Sequence, residues 1–112
     1  MRYRPTALGY LRTDVSRLSQ AWDEAQIRKL AERFGYDFAG MVIHDPSTDR
    51  PPLARLKSRA TRLAAEAVIT PAPTHFEGAT IPDSLIAQLD VITVDPEHTY
   101  ARWSIPPLPT DH

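Results

Sequence analysis

Residues 6–12 read TALGYLR, a strand-sized apolar run that ends on the fixed cation Arg12. A short apolar run bounded by turn-forming residues predicts a buried β-strand. Residues 13–20, which follow it, are rich in turn-forming types and lead into a helix. The acid Asp14 therefore lies just beyond the strand, two residues after Arg12. The rest of the sequence indicates what role these two charged residues have.

Three later apolar runs predict the other strands of the sheet. They lie at 36–44, 66–70 and 90–94, and none alternates strictly between apolar and polar residues. Strands of this kind are typical of a sheet that is buried on both faces and runs mostly parallel. The fold predicted is α/β, a three-layer α/β/α arrangement around a four-stranded, mostly parallel sheet.

Helices are predicted between the strands. In residues 21–35 the apolar side chains recur at helical spacing and form one face, and Gly35 supplies the left-handed residue that ends a helix. A second helix is predicted to begin near Pro51, and a short third one spans 82–89. The apolar face of the first helix consists of Ile27, Leu30, Ala31 and Phe34, and that of the second consists of Leu53, Leu56, Ala60 and Leu63.

Length and composition indicate one α/β domain, 1–96, followed by a proline-rich C-terminal tail, 97–112. The chain has 112 residues, of which 42% are hydrophobic and 24% charged, as in ordinary globular proteins. No apolar run approaches the ~20 residues of a membrane span, so no membrane partner is expected. The absence of cysteine and of a hydrophobic leader favours a cytoplasmic protein.

Basic residues are concentrated in the first part of the chain. Residues 1–62 carry 12 Lys and Arg against 7 Asp and Glu, and residues 50–62 contain five cations and no acid. Such a stretch can contact a phosphate backbone, although a solvated helix face has the same composition. The nucleic-acid contacts predicted for it are Arg55, Lys57, Arg59 and Arg62.

Motifs for cofactors and metals are missing from the sequence. With four glycines, the chain contains neither of the common glycine-rich phosphate loops. The histidines, His44, His75, His98 and His112, lack the paired spacing of a metal-binding helix. No metal site and no cofactor are therefore predicted.

Several chemically active side chains follow the predicted strands closely. In parallel α/β sheets, ligands bind at the carboxyl ends of the strands. We therefore expect a candidate site at that edge of the sheet. The residues just past the strand ends are Arg12, Asp14, His44, Asp45, Arg50, Thr74 and His75.

Four segments in order resemble the catalytic domain of the serine recombinases, the resolvase/invertase family. ALGYLRTD at 7–14 is similar to the family's opening G-Y-x-R-V-S, and VIHDPSTDRPPLARL at 42–56 contains its D-R-x-x-L helix start. EAVITPAPTHFEG at 66–78 lies where the family has an apolar strand and then L-D-R-L-x-R. LDVITVD at 89–95 corresponds to the last core strand. The resemblance covers residues 6–95 and implies a resolvase-like fold.

The resemblance also implies which site residues are present and which are lost. Tyr10, Arg12 and Arg50 match family positions, and the two arginines would contact the phosphate, so these three form a predicted vestigial anion-binding site. Asp14 occupies the position of the nucleophilic serine. A carboxylate there repels phosphate and cannot form the family's phosphoserine linkage. Thr74, His75 and Gly78 replace the downstream Asp, Arg and Arg, so no catalytic residue is expected.

Two alternatives concern individual residues near this site. The first alternative makes Ser16 or Ser19 a displaced nucleophile. The simpler interpretation of either serine is that it caps the following helix. Arg12 either keeps an anion site or forms an ion pair with Asp14 or Asp45. The aromatic residues Trp22 and Trp103 are candidate anchors for a protein partner.

The sequence thus favours a catalytically inactive resolvase-like domain that serves as a protein-interaction or regulatory module, through a protein partner or self-association. One alternative is a weak phosphoester-processing or anion-binding enzyme that uses Arg12 and Arg50, with Asp14 as a base or metal ligand. The other is non-specific nucleic-acid binding through the basic 50–62 helix.

Overall fold

The protein is described by a computed structural model, which covers residues 3–103. Its centre is a five-stranded sheet in the spatial order β2-β1-β3-β4-β5. The strands are β1 Thr6–Arg12, β2 Asp37–His44, β3 Ala67–Thr70, β4 Asp90–Thr93 and β5 His98–Tyr100. The helices are α1 Thr13–Ser16, α2 Gln20–Arg33, α3 Ala54–Leu63 and α4 Asp83–Ile86, with short 3₁₀ turns at Arg17–Ser19, Pro73–His75 and Glu77–Ala79.

The first four strands are parallel, which confirms the predicted α/β class and the mostly parallel sheet. β1 is hydrogen-bonded to β2 on one side and to β3 on the other, and β3 is bonded to β4. All four apolar runs identified in the sequence form strands within one residue of the expected bounds. Burial of these continuous apolar runs therefore fixes the order and direction of the sheet's centre.

The predicted number of strands is wrong, because β5 forms inside the segment assigned to the tail. β5 pairs antiparallel with β4, with Ile92 opposite Thr99. Just after it, the backbone N–H of Arg102 donates to Asp90 at 2.6 Å, which holds the chain against the sheet. Because β5 is largely exposed, no apolar pattern marked it. The remainder of the predicted tail, 104–112, lies outside the described residues.

The buried side chains form two clusters, one on each face of the sheet. Successive residues of a strand point to opposite faces. Ala7 of β1 therefore belongs to the cluster that packs against α2, whereas Leu8 and Tyr10 belong to the cluster that packs against α3 and α4. Gly9 allows a close approach on the α2 side, since a Cβ atom there would collide with the sulfur of Met41.

The helix bounds differ from the sequence-based ones by a few residues. α2 ends as expected before Gly35, which adopts φ of 81°. α3 begins at Ala54 rather than near Pro51, because the two prolines at 51 and 52 occupy a turn that precedes the helix. In the part of the chain that the structure covers, no helix is both long and apolar enough to cross a membrane.

Candidate ligand-binding cleft

A cleft of about 990 Å³ opens at the carboxyl ends of β1 and β2, on the face of the sheet that packs against α3 and α4. The sheet contributes Tyr10 and Arg12 from β1 and His44 from β2. Arg50 comes from the loop before α3, and His75 from the turn after β3. The three residues predicted for a vestigial anion site, Tyr10, Arg12 and Arg50, therefore line one cleft.

Arg12 and Asp14 form a two-pronged ion pair at the end of β1. Nε of Arg12 donates to Oδ1 of Asp14 at 3.1 Å, and its terminal nitrogen donates to Oδ2 at 2.9 Å. This pairing with the guanidinium holds the pKa of the Asp14 carboxyl below its usual range. The other acid considered for Arg12, Asp45, instead accepts the backbone N–H of Ser47. The fixed charge of Arg12 is thus balanced by its neighbour.

His75 is buried against the same strand end and serves as a hydrogen-bond acceptor. The backbone N–H of Arg12 donates to Nδ1 of His75 at 3.0 Å. Because a backbone amide can only donate, Nδ1 carries no proton, so the ring is neutral and its proton is on Nε2. Burial lowers the pKa of His75, which stabilises this neutral form. The sequence alone gave no signal for this contact, because 63 residues separate the partners.

Tyr10, which lines the cleft, has a buried hydroxyl without a partner among the described residues. The side chain is fully buried, and its ring stacks on Phe76 with centroids 5.3 Å apart and planes 8° apart. Among the described residues, nothing accepts from or donates to the Tyr10 hydroxyl. Burial raises the pKa of Tyr10 to about 12, so the group is a protonated donor at physiological pH.

The start of α3 forms another wall of the cleft. Residues 51–54 line it, together with the exposed Arg50 and with Lys57, whose Nζ donates to Ser84 at 2.8 Å. The N-cap residue, Leu53, provides no side-chain acceptor for the first turn. Hydrogen bonds from the backbone N–H groups of Arg55 and Leu56 are also absent within the described chain. These free donors and the helix dipole make this end of the helix positive.

The basic residues of α3 are mostly engaged within the molecule. Arg55 donates to the carbonyl of Ile43 at 3.4 Å, and Arg59 donates to the carbonyl of Met41 at 2.8 Å. Both carbonyls belong to β2, the edge strand of the sheet. Arg62 is exposed on the same helix. Of the four predicted nucleic-acid contacts, therefore, two cover a sheet edge and Lys57 turns toward the cleft.

The two serines considered as displaced nucleophiles lie in different surroundings. Ser16 is buried, and its hydroxyl donates to Asp23 in the first turn of α2 at 2.6 Å. Ser19 is the N-cap residue of α2, but its side chain makes no capping hydrogen bond. The predicted capping bond is therefore formed by neither serine, because a cap accepts a backbone N–H and the Ser16 hydroxyl instead donates to a carboxylate.

The remaining predicted residues lie around the cleft or on the surface. Thr74 is exposed beside His75, and Gly78 adopts φ of 70° in the next turn. Trp22 is 66% exposed on the first turn of α2, whereas the backbone of Trp103 is bonded to α4. Among residues 3–103, no three His, Asp or Glu side chains are grouped so that they would hold a metal ion.

No known protein-family model matches the chain, and neither does any curated protein.

Proposed function

We propose that this chain is a catalytically inactive, resolvase-like domain with the three-layer arrangement of that family, and that it works as a protein-interaction or regulatory module. One observation carries the proposal: Asp14, at the position where the resemblance implies a nucleophilic serine, is bonded through both oxygens to Arg12. The residue that should attack is thus an anion, and it neutralises a cation that should hold the substrate.

The surroundings of this pair support the loss of phosphoryl transfer. Phosphoryl transfer needs clustered cations to stabilise its charge-rich transition state, and losing one such donor typically costs on the order of 10²–10³ in rate. In this chain the Arg12 charge is balanced, and His75, where the resemblance implies an arginine, is neutral. A serine-type covalent intermediate has no group to form on at residue 14.

Exposed apolar side chains support the interaction role. Leu18, in the 3₁₀ turn before α2, is wholly exposed, and Trp22, in the first turn of α2, is 66% exposed. Large side chains of this type are characteristic anchors of protein interfaces. A protein partner or a second copy of the chain would remove them from water.

The experiment is a trapping assay for covalent protein–DNA adducts. The full chain and the variant Asp14→Ser are incubated with supercoiled DNA and quenched with detergent, with Asp49→Ser as the control at another exposed acid. We expect no adduct from any of the three. Asp14→Ser restores a hydroxyl, but it does not restore the arginines that the resemblance implies at residues 75 and 78. An adduct formed by the natural chain would refute the proposal.

The two alternatives have less support. An enzyme that uses Arg12 and Arg50 would need a free Arg12 guanidinium, and Asp14 occupies it. Nucleic-acid binding through the basic helix would require Arg55 and Arg59 to leave the carbonyls of β2. Steeply salt-dependent DNA binding would favour that second alternative.

A further inference from the structure

The inner part of the cleft offers hydrogen-bond donors. The hydroxyl of Tyr10 is buried, protonated and without a partner in the described chain. His75, which lines the same cleft, has its proton on Nε2 because Nδ1 accepts from Arg12. A buried donor that remains unpaired is costly and calls for an explanation. A ligand with an acceptor oxygen would satisfy the Tyr10 hydroxyl.

The charges around the cleft favour a small anion over a polyanion. Arg50 and Lys57 are cations on its wall, and the first-turn amides of α3 add a positive helix end. Glu77 and Asp83 also line the cleft and are exposed. A DNA backbone passing over this surface would meet both carboxylates. One anionic group directed at Arg50 and the helix end avoids them.

The remaining wall of the cleft is apolar. Leu53, Phe76 and Ile81 line it together with prolines from two loops and the turn before α4. A volume of about 990 Å³ is suited to an organic ligand, since such pockets usually measure about 300–1,000 Å³. Inorganic phosphate would leave this apolar surface uncovered, whereas a flat hydrocarbon body would cover it.

We propose that this cleft binds a small organic carboxylate with a flat apolar body. Its carboxylate accepts from the Tyr10 hydroxyl and from Arg50, close to the positive start of α3, and its body packs against Phe76 and Ile81. This inference extends the proposed regulatory role, on which it rests, by naming the class of ligand to which such a module responds.

The test is a titration of the full chain, followed by NMR amide shifts. The probes are benzoate, the uncharged benzamide, acetate, inorganic phosphate and a short DNA duplex. We expect benzoate to bind most tightly and to shift the amides of Leu53 and Ala54, which line the cleft. Benzamide lacks the charge and acetate lacks the apolar body, so both should bind less tightly.

Variants locate the binding site. Tyr10→Phe keeps the stacked ring and removes only the hydroxyl, and Arg50→Gln changes an exposed side chain, so both should fold. Each is expected to weaken benzoate binding by about tenfold, or about 1.4 kcal/mol. Arg62→Gln is the control, because Arg62 is exposed on α3 and does not line the cleft. It should leave the benzoate affinity unchanged.

Three results would overturn the inference. One is the absence of benzoate binding, and the second is tighter binding of phosphate or DNA than of benzoate. The third is a benzoate affinity that neither Tyr10→Phe nor Arg50→Gln alters. None of these results depends on the DNA-trapping assay. A covalent DNA adduct would instead remove the proposed function without changing the benzoate titration, so the two failures are distinguishable.

Discussion

Replacing Tyr10 with phenylalanine is expected to raise the free energy of unfolding. The side chain is fully buried in β1, and its hydroxyl has no partner in the described part of the chain. Burying an unsatisfied polar group costs about 1–3 kcal/mol. Phenylalanine removes that cost and keeps the ring stacked on Phe76, 5.3 Å away. The small void left by the oxygen offsets part of the gain, so we expect an increase of about 1 kcal/mol.

The measurement is urea unfolding of the natural chain and of Tyr10→Phe, each followed by circular dichroism. The midpoint should rise without a change in the slope against urea, which indicates a change in stability alone. In thermal unfolding, an increase of about 1 kcal/mol corresponds to about 4 °C for a domain of this size. Tyr3→Phe is the matched control, because Tyr3 is 77% exposed and its hydroxyl is solvated. Its midpoint should not move.

A decrease in stability for Tyr10→Phe, with Tyr3→Phe unchanged, would refute the reasoning. It would mean that the Tyr10 hydroxyl has a hydrogen-bond partner in the folded protein. The proposed carboxylate site would then lose its buried donor. Higher stability together with weaker benzoate binding is the combination expected of a group reserved for a ligand, because a purely structural hydroxyl would not give both.

Three further predictions concern other parts of the fold. Ala64 follows α3 in the left-handed conformation, at φ of 53° and ψ of 41°, which glycine adopts at low cost. Ala64→Gly should therefore raise the free energy of unfolding by about 0.5–1 kcal/mol. Ser58→Gly, within the helix, should lower it by about as much. Arg59→Met removes a 2.8 Å hydrogen bond to a β2 carbonyl and should cost about 1–2 kcal/mol in urea unfolding, whereas Arg62→Met, at an exposed arginine of the same helix, should cost little. Burial lowers the pKa of His75 from its ordinary 6.5, so below that pH the unfolded chain binds a proton that the folded chain does not, and stability falls as pH falls. The free energy of unfolding, measured in urea at about pH 7 and about pH 5, should differ less between the two pH values for His75→Asn than for the natural chain. Asparagine keeps an acceptor for the backbone N–H of Arg12.

The parts of the fold that sequence predicted well are those where burial is continuous along the chain. β1 has the bounds of the apolar run 6–12, and Gly35 ends α2 with the positive φ that glycine adopts at low cost. β5 was missed because two of its three residues are polar and exposed, and its formation depends on backbone bonds offered by β4. An edge strand of three residues leaves no periodic signal.

The candidate site was predicted in part, for a similar reason. The position of Arg12, Arg50 and His75 close to strand ends predicted that they meet, and all three line one cleft, since the carboxyl ends of parallel strands share an edge. Tyr10 was predicted only through the family resemblance. The hydrogen bond between His75 and the backbone of Arg12 joins segments far apart in sequence. The free first-turn amides of α3 were also hidden, because they depend on which residue begins the helix.

The sequence by itself determined the α/β class and the parallel centre of the sheet, because these follow from local hydrophobicity. Only the tertiary structure decided which charges are free to act. Arg12 is balanced by Asp14, and Arg59 is bound to a carbonyl of β2. Arg50 lines an open cleft together with Tyr10, whose hydroxyl has no partner among the described residues. The physical reason is that a charged side chain is available to a ligand when no group of the folded chain already pairs with it. Which groups lie close enough to pair is decided by tertiary packing.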